Sequence, residues 1–82
     1  MYKSIHSPQN QVLLDLLRDH RRSKRLRQLD VGRRLGKDQG MVSKVESGER
    51  RLDVIELRTW LAAIDADFVT FMQELDARLS RL

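Results

Sequence analysis

The sequence contains no cysteine, which removes disulfides, thiolate zinc sites and cysteine nucleophiles together and suits a reducing cytoplasm. It has no apolar run of the length needed to cross a bilayer, and its N-terminus lacks the apolar stretch of a secretion signal, so a soluble cytoplasmic protein with no membrane partner is expected. Ser-His-Asp spacing, metal-ligand spacing and a phosphate-binding glycine loop are all missing as well. The reading is therefore not an enzyme, with no catalytic residue, no metal and no cofactor. Linkers, internal repeats and low-complexity stretches are also lacking. At 82 residues there is room for one small domain over 1–82, with a modest core and no appended catalytic or ligand-sensing domain.

Charge is plentiful, and its distribution says more than its total of +4. Residues 1–51 hold 13 Lys and Arg against 6 Asp and Glu, a net +7, whereas residues 52–82 hold 3 against 6, a net −3. A polyanion would be steered to the first part and would bind it less tightly as salt rises. A merely solvated basic surface would produce the same count, so charge alone does not decide the function.

Apolar spacing predicts five helices and no strand. Ser7 before Pro8 is a capping residue ahead of a proline at the first helical position, and Val12, Leu13, Leu16, Leu17 and His20 then share one face. The first helix is expected from about Pro8 to Lys24, after a flexible arm over 1–7 that contains His6. Val31 and Leu35 lie four apart, and Val42 and Val45 three apart, on two short helices expected at about Gln28 to Leu35 and Gln39 to Ser47. Gly36 can take the left-handed conformation that ends one, and Asp38 can cap the next two residues later. Gly48 closes the third helix, and residues 49–52 form a loop. Asp53 and Glu56 have capping-box spacing ahead of a stripe of Val54, Leu57, Leu61 and Ile64. Asp67 can cap a fifth helix carrying Phe68, Phe71, Met72, Leu75, Leu79 and Leu82.

Two short helices meeting across a glycine make a helix-turn-helix. Leu26, Gln28, Val31, Leu35, Gly36, Gln39, Val42, Ser43, Val45, Glu46 and Gly48 stand in a spacing that resembles the Cro and phage-repressor (Xre-like, lambda repressor-like) DNA-binding domains. The likeness runs from about Leu13 to about Phe71. It implies an all-α, five-helix fold that binds double-stranded DNA, with the helix-turn-helix at helices two and three.

In such a fold helix three enters the major groove while helix two crosses the backbone. Gln39, in the first turn of helix three, has an amide that matches the donor and acceptor of adenine. Gly40, Ser43 and Lys44 complete the outward, base-contacting positions, with Lys44 able to serve guanine or a phosphate. Met41 could touch a thymine methyl or fill a core gap. The resemblance implies that Gln28 bonds a phosphate and braces Gln39, and that Arg21 and Glu46 form an ion pair between helix one and the end of helix three. Further phosphate contacts are expected from Arg27, Lys37, Arg50 and Arg51, the last two lying in the loop that faces the backbone in the family.

Several residues depart from the family pattern. Arg27 stands where a capping Ser or Thr is usual, a loss of about 1 kcal/mol for helix two. Arg25 stands where Gly is common, His20 fills a usually apolar site, Gly32 replaces Ala, and Gly40 removes a side chain from a base-reading position.

One small module buries limited DNA surface, so two copies on a palindromic operator are expected, half-sites about 34 Å apart. Trp60, Phe68, Phe71, Met72, Leu75, Leu79 and Leu82 are the expected homodimer interface, which makes 67–82 the dimerisation element. The function expected is a sequence-specific transcriptional regulator acting as a homodimeric repressor. The alternative is an antitoxin or adaptor of the same fold that binds a partner protein, such as a toxin, through its apolar, acidic C-terminal part.

Overall fold

The computed structural model describes residues 7–82, so the arm expected over 1–7, with His6, lies outside the described residues except for Ser7. Five helices follow: α1 Pro8–Ser23, α2 Gln28–Leu35, α3 Gln39–Glu46, α4 Val54–Ala63 and α5 Phe68–Leu79. The described residues contain no strand. This is the five-helix, all-α architecture that the apolar spacing implies.

Each start and stop has a local cause. The Ser7 hydroxyl accepts from the Asn10 amide at 3.1 Å, with Pro8 in the first turn where its missing N–H is harmless. Asp38 accepts from Met41 N at 2.8 Å, and Asp67 from Thr70 N at 2.8 Å. Asp53 and Glu56 form a reciprocal capping box, Glu56 N to Asp53 at 2.7 Å and Asp53 N to Glu56 at 3.0 Å. Gly36 ends α2 at φ +70, and Lys37 N returns to the Gly32 carbonyl at 2.8 Å. Gly48 turns the chain after α3 at φ +88. The first and third helices are each one residue shorter than expected, because Lys24 and Ser47 serve as their caps.

α2 packs on α3 and α4, α1 on α3 and α5, and α4 on α5. The core that results is built from Leu16, Leu17, Val31, Val42, Val45, Leu57, Trp60, Leu61, Ile64, Phe71 and Leu75. Gly32 lies where α2 presses on the α2–α3 turn: a Cβ there would stand 3.0 Å from the Lys37 and Asp38 carbonyl oxygens. The missing methyl lets the two helices of the motif approach.

Two expectations need correction, and the remaining residues fall between core and surface. Trp60, Phe71 and Leu75 are 1%, 0% and 8% exposed, inside the core of a single chain, so they offer nothing to a second subunit. The α4–α5 corner folds the last helix back across α1 and buries that stripe. Val54, expected in the apolar stripe of α4, is exposed, because capping by Asp53 leaves the first turn of α4 projecting past the core. Phe68, Met72 and Leu79 are half-buried against the core, and Leu82, beyond the end of α5, is exposed. His20 is half-buried at the rim, edge-on to Phe71 with ring centroids 5.2 Å apart, and shares a 3.0 Å hydrogen bond with Glu74.

Candidate nucleic-acid interface

α3 has one buried and one open side. Val42, Val45 and Glu46 are buried, and Met41 is half-buried against the core, which makes it a packing residue. Gln39, Gly40, Ser43 and Lys44 are all exposed. The four positions expected to face bases therefore share the open side of the helix. At Gly40 an added Cβ would meet only the Asp38 side chain, at 3.4 Å, so the position is sterically open.

A chain of polar contacts runs from the core to Gln39. Arg21 Nε donates to one oxygen of the buried Glu46 carboxylate at 2.6 Å and Nη2 to the other at 2.9 Å. Its Nη1 donates to the Leu26 carbonyl at 2.8 Å, tying the α1–α2 corner into the same group. Arg18 adds a second cation 3.7 Å from Glu46 and caps the Glu46 carbonyl at 3.0 Å. Gln28 Nε2 then donates to Glu46 Oε1 at 3.1 Å, and Gln39 Nε2 donates to Gln28 Oε1 at 3.4 Å. The amide dipole of Gln28 is thereby oriented, oxygen outward, before Gln39 meets it. The two-pronged Arg21–Glu46 contact satisfies a carboxylate that would otherwise be expensive to bury.

The α2 N-terminus solves its capping problem in an unexpected way. A guanidinium has only donors, so Arg27 cannot cap the helix as Ser or Thr would. Instead the Asp30 carboxylate accepts from the Arg27 amide at 2.8 Å, from Nε at 3.1 Å and from Nη2 at 3.0 Å. The Arg27 side chain, then its backbone amide, hold the Asp30 carboxyl down to about 2. Arg27 itself stays largely exposed.

The remaining expected cations differ in how freely they are held. Lys37, in the α2–α3 turn, is exposed and makes no ion pair among the described residues. Arg50 is exposed but donates to Glu56 at 2.8 Å; the Asp53 amide first, and Arg50 next, keep the Glu56 carboxyl below its ordinary range. Arg51 is exposed in the loop that follows. Other cations serve the fold: Arg34 donates to the Ala63 carbonyl at 2.9 Å, and Lys24 to the Asp65 carbonyl at 2.9 Å, both fastening the end of α4.

Sequence reasoning missed Arg22 and Arg25. Together with Arg21 and Arg27 they line a hollow of about 480 Å³ that also includes Gln28 and Gln39. The available signal was the basic run Arg21-Arg22-Ser23-Lys24-Arg25-Leu26-Arg27, which spans the α1–α2 corner. Arg25 occupies that corner at φ +59, the position where the resembled family commonly has Gly. The result is a continuous basic rim beside the exposed amide of Gln39.

Comparison with known proteins fits this geometry. A helix-turn-helix family model matches residues 17–71, more than half the chain. A solved structure of an XRE-family like protein from Pseudomonas syringae pv. tomato str. DC3000 is 40% identical, covers 95% of this chain and 98% of its own, and superposes with a TM-score of 0.83. No curated protein matches the sequence. With matched segment, helix order and motif spacing in agreement, the chain belongs to the XRE-like (Cro/C1-type) family of helix-turn-helix DNA-binding proteins.

Proposed function

We propose that this protein is a homodimeric, sequence-specific transcriptional repressor that lays α3 in the major groove of a palindromic operator. The observation that carries the reading is the exposed Gln39 amide, held at the start of α3 by Gln28, which Glu46 orients in turn. A side chain fixed in advance loses less freedom on meeting a base edge, and a Gln amide discriminates adenine by about 1–3 kcal/mol. Gln39, Gly40, Ser43 and Lys44 face the bases. Gln28, Arg27, Lys37, Arg50 and Arg51 hold phosphates, joined by Arg22 and Arg25 on the rim. Repression by occupancy requires nothing beyond this surface.

The second subunit would use what the monomer leaves open: Leu82 and Val69, exposed at 66% and 62%, with the outer edges of Phe68, Met72 and Leu79. Such apolar surface along α5 and the residues that follow it suits an isologous contact.

Selection of bound duplexes from random DNA, followed by gel shift at nanomolar protein, tests the reading. Gln39→Ala with Lys44→Ala is expected to abolish sequence preference while the helical circular dichroism and melting temperature stay unchanged. Unaltered preference in that double variant rejects α3 as the reader. In sedimentation, Val69→Asp with Leu82→Asp is expected to give a monomer. An adaptor or antitoxin role would instead place a partner protein on the exposed Val54, Ile55 and Val69. Wild-type protein that selects no duplex but co-purifies with the product of an adjacent reading frame would favour that reading.

A further inference from the structure

The cations of the α1–α2 corner divide by what each side chain is bound to. Arg21 is committed to Glu46 and the Leu26 carbonyl, Lys24 to the Asp65 carbonyl, and Arg27 to Asp30 at 3.1 and 3.0 Å. Arg22 and Arg25 are exposed, and their guanidinium groups have no carboxylate or carbonyl partner among the described residues. Both line the hollow of about 480 Å³ that Gln28 and Gln39 share, and among the described residues no acid lines it. Cations gathered without an acid between them oppose folding by their repulsion, and a bound anion removes that cost. Arg25 carries a second cost, because it holds a left-handed φ of +59 that glycine would take without strain. A charged side chain kept on a strained backbone position points to a binding role for that side chain.

We propose that this corner is a phosphate site in its own right, suited to a chain of two or more linked phosphates, with Arg22 and Arg25 as its ligating cations. A guanidinium fork meets phosphate oxygens two at a time, so two open forks on one hollow match two phosphate groups. Two sources carry that chemistry: the backbone of a duplex, and a soluble polyphosphate such as the phosphate chain of a nucleotide. Gln28 and Gln39 line the same hollow, so a soluble chain seated there occupies the space that a duplex needs and lowers DNA affinity. This competition rests on the DNA-binding reading; the phosphate site does not.

Calorimetric titration of the full chain with sodium tripolyphosphate, at fixed ionic strength, is expected to show saturable one-to-one binding. Arg22→Gln and Arg25→Gly should each weaken it about tenfold, the loss of one charged hydrogen bond, with the helical circular dichroism retained. Orthophosphate, which answers a single fork, should bind more weakly by a similar factor. Arg58→Gln with Arg81→Gln removes the same charge from exposed positions elsewhere and should leave binding intact. No saturable binding, equal affinity for orthophosphate, or an equal loss in that remote control overturns the proposal. On random-sequence duplex, Arg22→Gln with Arg25→Gly should reduce the slope of log affinity against log salt by about 2, one for each cation withdrawn from the backbone. An unchanged slope alongside tripolyphosphate binding identifies the soluble chain as the occupant. Tripolyphosphate is expected to displace duplex from the wild type and far less from the double variant; equal displacement from both overturns the competition. Protein that takes tripolyphosphate but binds no duplex even without it refutes the DNA reading and leaves the phosphate site standing.

Discussion

Arg21 grips both oxygens of the Glu46 carboxylate, at 2.6 and 2.9 Å, inside a protein whose other buried side chains are almost all apolar. The pair joins the middle of the chain to its first helix and sets the position of everything that follows it toward Gln39. Removing one partner strands the other charge. Arg21→Met is expected to lower unfolding stability by about 3 kcal/mol in urea titrations, the low end for a broken buried pair because Arg18 remains nearby. Arg21→Met combined with Glu46→Leu should recover most of that loss, as a matched apolar pair.

Gln28 separates positioning from stability. Its contact to Glu46 is one neutral-to-charged hydrogen bond, and Glu46 keeps both Arg21 bonds without it. Gln28→Ala is expected to cost about 1 kcal/mol in stability. Under the proposed function it should relax discrimination at the base pair met by Gln39 far more than at the others. Competition among single-base operator variants measures this; uniform weakening would show that Gln28 holds only a phosphate.

The Asp30–Arg27 contact predicts a pH dependence with a definite sign. The folded carboxyl is held at about 2, below its ordinary 3.8, so the contribution is fully present above 3.8. It is lost as pH falls toward 2. Carboxyl NMR titration should find Asp30 titrating near 2, and the melting temperature of Asp30→Asn should fall less steeply across this window than that of the wild type. Asp30→Asn also frees the Arg27 guanidinium, so a steeper salt dependence of DNA binding is expected from the same variant.

Arg25 sits at φ +59, a conformation that costs an ordinary L-residue about 1–2 kcal/mol. Glycine relieves the strain but adds about 0.5–1 kcal/mol of unfolded-state freedom. Arg25→Gly is therefore expected to gain about 0.5 kcal/mol by chemical denaturation while weakening any polyanion binding through the basic hollow. Gly32→Ala should move the other way, losing about 1–3 kcal/mol, because its methyl presses on backbone that cannot give easily.

The helix ends were legible because their determinants are local: Ser7, Asp38, Asp53 and Asp67 cap from three residues away, and Gly36 and Gly48 need only their own φ. The open side of α3 was legible for the same reason, since Val42, Val45 and Glu46 fix which side is inward. What could not be read was the docking of the last two helices. Phe71, Leu75 and Trp60 have the spacing of either a core or an interface, and only the packing of α5 on α1 and α4 buries them. Nor does sequence disclose which cations are spent internally. Arg34 and Lys24 look as available as Arg22 and Arg25 until the carbonyls at the end of α4 are seen to take them.

The bare Cα at position 40 has a consequence for change over time. Beside Gln39 the helix carries no side chain, and one placed there would touch only the flank of Asp38. Ala or Ser would also raise local helicity, glycine being about 0.5–1 kcal/mol worse in a helix interior. Under the proposed function, new substituents at this spot would alter which duplexes are preferred without loosening the scaffold, so a lineage could diverge in target while its architecture stayed fixed.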